Sequence, residues 1–384
     1  MNNKNIELTV LKALGIIVVV SCHLGINIFN IIGIPLTEST ELFPEYSYHM
    51  PLFIFASGYF YKRIYESDIL NLTKKRFKSI KKYINCNLFY FCLCFLLVSL
   101  GIFSRNIEFT FKSIFIEPFL GGFQFYFNGP GWFVPFLFIL QITYTYLRKI
   151  IGLKFKSFNN QYCSNLKQES IFFIFLIILG FISTSISNIY PVINDNMNIF
   201  QSFLRILFGL QFFQLGFIYK EFIKDNINFS FLSFLLIIIC KFIVFLSFGY
   251  YTFSLRTIKF NNHSILPFVV SILGIIYCLH LTKFIVNISS KLNSIVLSFI
   301  CFLGNNTWSI MMHHLLVKWC LDKIYDLSFI PDGFKLIGNY FISPILCTLL
   351  PMVFVYLYKN MEYGLLLENK LMIFNNKVKK AFFA

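Results

Sequence analysis

Lys12 and His23 both fall in the first apolar stretch of the chain, where ionisable side chains are out of place. On a helix, eleven residues at about 100° each return His23 to within roughly 20° of the Lys12 face, about 16 Å further along the axis. One stripe then carries a cation near a membrane surface and an imidazole deeper in. Two readings of His23 stand side by side: a hydrogen-bonded packing residue, and an imidazole whose ordinary pKa of about 6.5 suits it to take a hydroxyl proton near neutral pH. Other ionisable groups sit inside apolar runs at a cost of roughly 2.5–3.5 kcal/mol at mid-helix. Lys318, like Lys12, lies near a helix end and can reach the headgroups, whereas Lys241 is central and needs a polar partner or a shifted helix boundary. Arg205, flanked by Phe203, Leu204, Ile206 and Leu207, is open to two roles, an anchor at one surface or a site residue.

Three further segments mix polar and backbone-breaking residues. Ser47 to Tyr59 holds His49 beside Pro51, and its Ser57-Gly58 pair permits close helix contact. Gly129 to Phe138 is an aromatic, proline-broken start to a helix and contains Trp132. Leu303 to His314 carries Asn306 and the adjacent histidines His313 and His314, which point about 100° apart on a helix.

The elements that must position these residues are membrane helices. Apolar runs of about 18 residues recur from end to end. They predict an all-α, polytopic integral membrane protein of about ten helices, at roughly 8–34, 47–61, 83–104, 131–147, 170–190, 199–219, 229–251, 264–286, 295–320 and 338–358. The second and fourth are short and broken by Pro and Gly, as helices lining a cavity often are. Composition agrees: of 384 residues 57% are hydrophobic and only 13% charged, against roughly 25% charged in a soluble domain. A single membrane domain over 1–384 is the simplest organisation.

The net charge of +16 does not call for nucleic acid, because Lys and Arg cluster between apolar runs, where anionic headgroups lie. With the N-terminus inside, the Lys62–Lys82 loop, the Arg148–Lys167 loop and the C-terminal lysines share one side. The opposite side holds only Arg105, Lys112, Arg256, Lys259, Lys323 and Lys335. Both termini are therefore expected in the cytoplasm. Ten cysteines are scattered without the spacing of a zinc site or a disulfide framework, so no metal is expected. The first apolar run is too long for a cleaved signal and should remain as a helix.

In these segments the chain resembles the acyltransferase 3 family of membrane acyltransferases, which includes bacterial O-acetyltransferases of surface polysaccharides. That family carries a basic residue and a histidine in the first helix, here Lys12 and His23. It then shows a "MPLFFFLSGY"-like stretch, here Met50 to Tyr59, a "WFLPALF"-like stretch, here Trp132 to Phe138, and a "GKNSxxIYxxH"-like stretch, here Gly304 to His314. The resemblance implies transfer of an acyl group, acetyl by expectation, from cytoplasmic acyl-CoA (acetyl-CoA) to a hydroxyl of a cell-surface polysaccharide or lipid-linked sugar, in a bacterial cytoplasmic membrane. His23 would be the catalytic base or the transient acyl carrier. Lys12 would help hold the anionic donor, Arg76 and its basic neighbours could meet CoA phosphates, and His49, Ser57, Trp132, Arg205, Asn306 and His314 are candidates for the substrate site. Lys12 replaces the family's frequent Arg, which leaves a point charge where a bidentate fork would be, and Thr9 stands where an acidic residue is common. Other classes weighed against this are a transporter or flippase of lipid-linked sugar, a glycan polymerase or ligase, and a non-catalytic scaffold. The first would show a corresponding pair of inverted broken helices, the second a basic external loop, and the third has no use for an aligned Lys12 and His23.

Overall fold

In a computed structural model of the chain the described residues are 6–25, 42–61, 69–103, 109–120, 125–152, 166–190, 199–224, 226, 230–292, 294–327 and 330–356. Among them the chain is helical, with one isolated bridge between Ser254 and Lys259. Eight helical segments are long and apolar enough to cross a membrane, and a ninth crossing is available if a bent pair counts as one.

The first helix, α1 (Ile6–Leu24), is mostly apolar and ends where Gly25 adopts φ +66, a left-handed stop that suits glycine. Of the predicted run of 8–34, residues 8–24 lie in α1 and 26–34 fall outside the described residues. His23 stands in the last turn of α1. Next, α2 (His49–Tyr59) has 11 residues, about 16 Å of helix, half of a hydrocarbon core about 30 Å thick. It is a buried half-helix instead of the predicted full span over 47–61. Pro51 breaks nothing, because it sits in the first turn of α2, whose N–H groups have no helical partner anyway.

The core of the bundle is α2 against α8 (Ile199–Ile218). Their backbones approach because a Cβ on Gly58 would overlap the Phe213 carbonyl, and one on Gly216 would overlap the Phe55 carbonyl. The predicted close contact at Ser57-Gly58 is thus present. Between α2 and α8 in the chain run α3 (Ile69–Ser99), two short helices α4 (Phe111–Phe115) and α5 (Glu117–Leu120), α6 (Phe133–Gly152) and α7 (Leu166–Ile189). Pro130 lies in a tight 3-10 turn, Tyr126–Trp132, that leads into α6, and Pro135 lies in the first turn of α6. Then come α9 (Phe231–Phe248) and α10 (Leu266–Leu292). Burial separates centre from rim: 78% of the most apolar window of α8 is buried, against 11% for α9, which offers Leu232, Leu236, Ile243 and Leu246 to lipid.

One predicted span, 295–320, is two helices. α11 (Ser294–Asn305) meets α12 (Thr307–Tyr325) at 81°. The break is at Asn306, whose backbone leaves the helical region and whose amide donates to the Phe302 carbonyl at 2.8 Å. Gly304 lets α11 lie directly on the Thr9 carbonyl of α1. The last crossing, Gly333–Tyr356, includes α13 (Asp332–Ile337), a π-turn and α14 (Ser343–Leu349).

Inside the bundle, one polar group joins three helices. Arg148 of α6 makes a two-pronged ion pair with Glu169 of α7, and Glu169 also accepts from the Gln214 amide of α8 at 2.9 Å. A basic residue that sequence analysis assigned to topology therefore ties three helices together.

Candidate active site

His23, His49 and His314 converge from three elements. The His23 and His314 rings meet edge to face with centroids 5.1 Å apart, and His23 lies within electrostatic range of both His314 and His49. Each ring is held by the same local device. Nδ1 of His23 is 2.7 Å from the Val19 carbonyl, Nδ1 of His314 is 2.9 Å from the Ile310 carbonyl, and Nδ1 of His49 is 2.7 Å from the Glu45 carbonyl. A carbonyl oxygen only accepts, so each Nδ1 must carry the proton and donate it. In the neutral ring the lone pair is then on Nε2, the atom a general base or nucleophile uses. Nε2 of His314 is buried and has no hydrogen-bond partner, and His314 as a whole is 1% exposed. His23 is half-buried, the most accessible of the three.

A short turn, Glu45–Ser47, assembles the cluster. It leads into α2 and so places His49, and its Glu45 carboxylate lies 3.0 Å from the Ser21 hydroxyl of α1. The Tyr46 hydroxyl is hydrogen-bonded to Cys22, and the Tyr46 ring stands edge-on to His49, 5.3 Å between centroids. The turn is fastened to α10, since the Ser271 hydroxyl donates to the Ser47 carbonyl at 3.0 Å and the Tyr48 side chain closes over Gly274. In the sequence Glu45 is one of three acids between Pro35 and Tyr46, and nothing there singles out Ser21 or Tyr46. The signal available was that Ser21 and Cys22 adjoin His23, while Glu45 and Tyr46 lie within one helical turn of His49. Glu38 and Glu41, the loop's other acids, lie outside the described residues.

The other candidates have these neighbours. Lys12 lies about 16 Å from His23 along α1, with its ammonium 5.5 Å from the centroid of the Phe60 ring, a cation–π contact. Ser57 is at the other end of α2 from His49, about 12 Å away. Trp132 and Arg205 meet each other: the guanidinium lies 5.2 Å from the indole and donates to the Arg256 carbonyl at 2.7 Å and the Leu120 carbonyl at 3.3 Å. Asn306 serves the bend between α11 and α12. The side chain of Arg76 lies outside the described residues. His313 turns away from His314, as expected, stacking on Phe354 at 4.0 Å and bonding the Tyr90 hydroxyl at 2.5 Å. Lys318 pairs with Asp322 at 2.7 Å. Lys241 is buried with its ammonium 5.8 Å from the Phe43 ring centroid.

The fold and this cluster define a multi-pass helical membrane protein with base-capable imidazoles gathered inside the bundle. A family model for an acyltransferase domain, acyltransferase 3, matches residues 5–357, and the chain belongs to that family. It is a membrane acyltransferase. No curated protein and no solved structure matches the chain.

Proposed function

We propose that this protein moves an acyl group, acetyl in the simplest case, from cytoplasmic acyl-CoA to a hydroxyl of a cell-surface polysaccharide or lipid-linked sugar. In this reading it works in a bacterial cytoplasmic membrane, as one domain with both termini inside. The observation that carries the reading is the anchored His23 ring, with its Nδ1 proton committed to Val19, its Nε2 lone pair available and His314 at its edge. Nε2 takes the proton of the acceptor hydroxyl as its oxygen attacks the thioester carbonyl. The tetrahedral intermediate expels the thiolate, and the imidazolium returns the proton to sulfur. If Nε2 attacks the thioester itself, the acyl group rests on His23 before the sugar oxygen takes it. The same lone pair serves both routes, and ping-pong kinetics marks the second.

Lys12 supports the donor end. It sits on the same helix stripe, toward the end of α1 that the positive-inside pattern assigns to the cytoplasm, and holds its charge against an aromatic face without a carboxylate within 4.0 Å among the described residues. A donor whose charged part stays near Lys12 must extend its thioester arm about 16 Å along α1 to reach His23.

The test is the O-acetyl ester signal in proton NMR spectra of purified surface glycan, from cells lacking the gene and complemented with wild type or His23→Gln. Wild type should restore the ester. His23→Gln should reach the membrane at normal abundance, because Val18, Val19, Val20 and Leu24 keep α1 apolar. Its transfer should nevertheless fall by at least ~10²-fold, since a Gln amide hydrogen-bonds but takes up no proton. A well-expressed His23→Gln protein with near-normal transfer would return His23 to packing.

A further inference from the structure

Tyr46 is 46% exposed, yet its ring is fixed in place. The hydroxyl is bonded to the thiol of Cys22, the residue before His23 on α1, and the ring stands T-shaped to His49 of α2, with the planes 84° apart. Its backbone lies in the Glu45–Ser47 turn, where the Glu45 carbonyl accepts from His49 and the Glu45 carboxylate meets Ser21. The phenol ring therefore bridges the two helices that carry His23 and His49, at the edge of the histidine cluster.

An exposed tyrosine near a membrane surface ordinarily belongs to the aromatic belt, with its ring against lipid and its hydroxyl toward water. Tyr46 is arranged differently, because its hydroxyl turns to a side chain of α1. A T-shaped partner covers at most one face of a ring, and with nearly half of Tyr46 exposed the other face remains for a ligand. A rigid aromatic face beside base-capable imidazoles suits a molecule with an apolar face and a polar rim. A pyranose is such a molecule. Its C–H bonds, partly positive, meet the negative face of an aromatic ring, while a hydroxyl on its rim stays free to reach the histidines. The flat adenine of coenzyme A would stack as well, but Tyr46 lies at the far end of α1 from Lys12, the proposed donor end.

We propose that Tyr46 is the platform on which the acceptor sugar stacks, an identity of the ligand that rests on the function proposed above. It selects acceptors whose pyranose ring lays a C–H face on the phenol while turning a hydroxyl toward His23 and His49.

The experiment uses the full chain in phosphatidylcholine nanodiscs and surface glycan purified from cells lacking the gene. Calorimetric titration with the glycan reads binding without acyl-CoA, and steady-state transfer from acetyl-CoA reads the KM of each substrate. Tyr46→Leu keeps apolar bulk but loses the aromatic face. It should weaken glycan binding and raise the glycan KM by about tenfold, with the acetyl-CoA KM and the melting temperature near wild type. Tyr46→Trp, which keeps an aromatic face, should bind glycan close to wild type. Tyr190→Leu, at an exposed tyrosine just past the end of α7, is the control for a belt residue and should leave glycan binding unchanged. Wild-type glycan binding by Tyr46→Leu overturns the platform. So does a rise confined to the acetyl-CoA KM, which marks a donor contact, or a lower melting temperature with binding intact, which marks a membrane anchor. Equal losses in Tyr46→Leu and Tyr190→Leu overturn it too. A wild type that transfers acetyl while Tyr46→Leu binds and transfers normally removes the platform alone. A wild type that binds glycan through Tyr46 but transfers no acetyl removes the acyl-transfer reading alone, and one that neither binds nor acetylates the glycan removes both.

Discussion

At the scale of single residues, the chemistry depends on how side chains are held more than on which are present. Three histidines bond the carbonyl of the residue four positions earlier, and this fixes the tautomer of each before any substrate arrives. Lys12 shows the same economy at the other end of α1. Its contact with Phe60 is to an aromatic face, which a guanidinium fits at least as well as an ammonium. Lys12→Arg should therefore keep activity, and the added fork can meet a phosphate two-pronged. Lys12→Ala should raise the apparent KM for acyl-CoA while leaving membrane abundance near wild type. Steady-state kinetics over a range of acyl-CoA concentrations checks this, and an unchanged KM removes the donor role.

At the scale of elements, the half-helix α2 positions both ends of the molecule's polar apparatus. Its first residue is His49 and its last is Tyr59, so its seat on α8 sets the histidine cluster at one end and the Tyr59–Lys224–Glu7 contacts at the other. That seat depends on two glycines. Gly58→Ala drives a methyl group into the Phe213 carbonyl and Gly216→Ala drives one into the Phe55 carbonyl, and backbone cannot give way as a flexible side chain does. Each should cost about 1–3 kcal/mol or more, read as a lower melting temperature in detergent, with activity lost in proportion. Gly333→Ala, where an added Cβ meets open space, is the control and should melt like wild type. The Arg148–Glu169–Gln214 group does similar work with polar atoms, and its partners come from α6, α7 and α8, three elements brought together only by the bundle.

At the scale of the whole molecule, the proposed orientation rests on charge. The Lys62–Lys82 loop is the densest basic segment, and placing it inside also places Lys12, Lys224 and Lys283 toward the cytoplasmic surface and His23 toward the other. A cysteine introduced at Ser79 should therefore resist a membrane-impermeant thiol reagent in intact cells and react after permeabilisation. Strong labelling in intact cells reverses the topology and, with it, the cytoplasmic source of the donor.

The membrane class, the positions of most crossings and the placing of Lys12 and His23 on one helix were legible in the sequence. Hydrocarbon demands long apolar runs, so ionisable exceptions within them stand out one residue at a time. His314 was legible through a motif, and the close approach at Gly58 through the absence of a side chain. Tertiary structure alone decided that α2 is a buried half-helix, that α12 turns by 81° at Asn306, and that Glu45 and Ser21 join the histidines. It also decided that Arg205 faces Trp132, and that Lys224 joins Tyr59 and Glu7. The reason is physical: hydropathy reports how a residue meets lipid, averaged along one helix. Which polar atoms meet inside the bundle depends on contacts between residues far apart in the chain, and those exist only once the helices are packed.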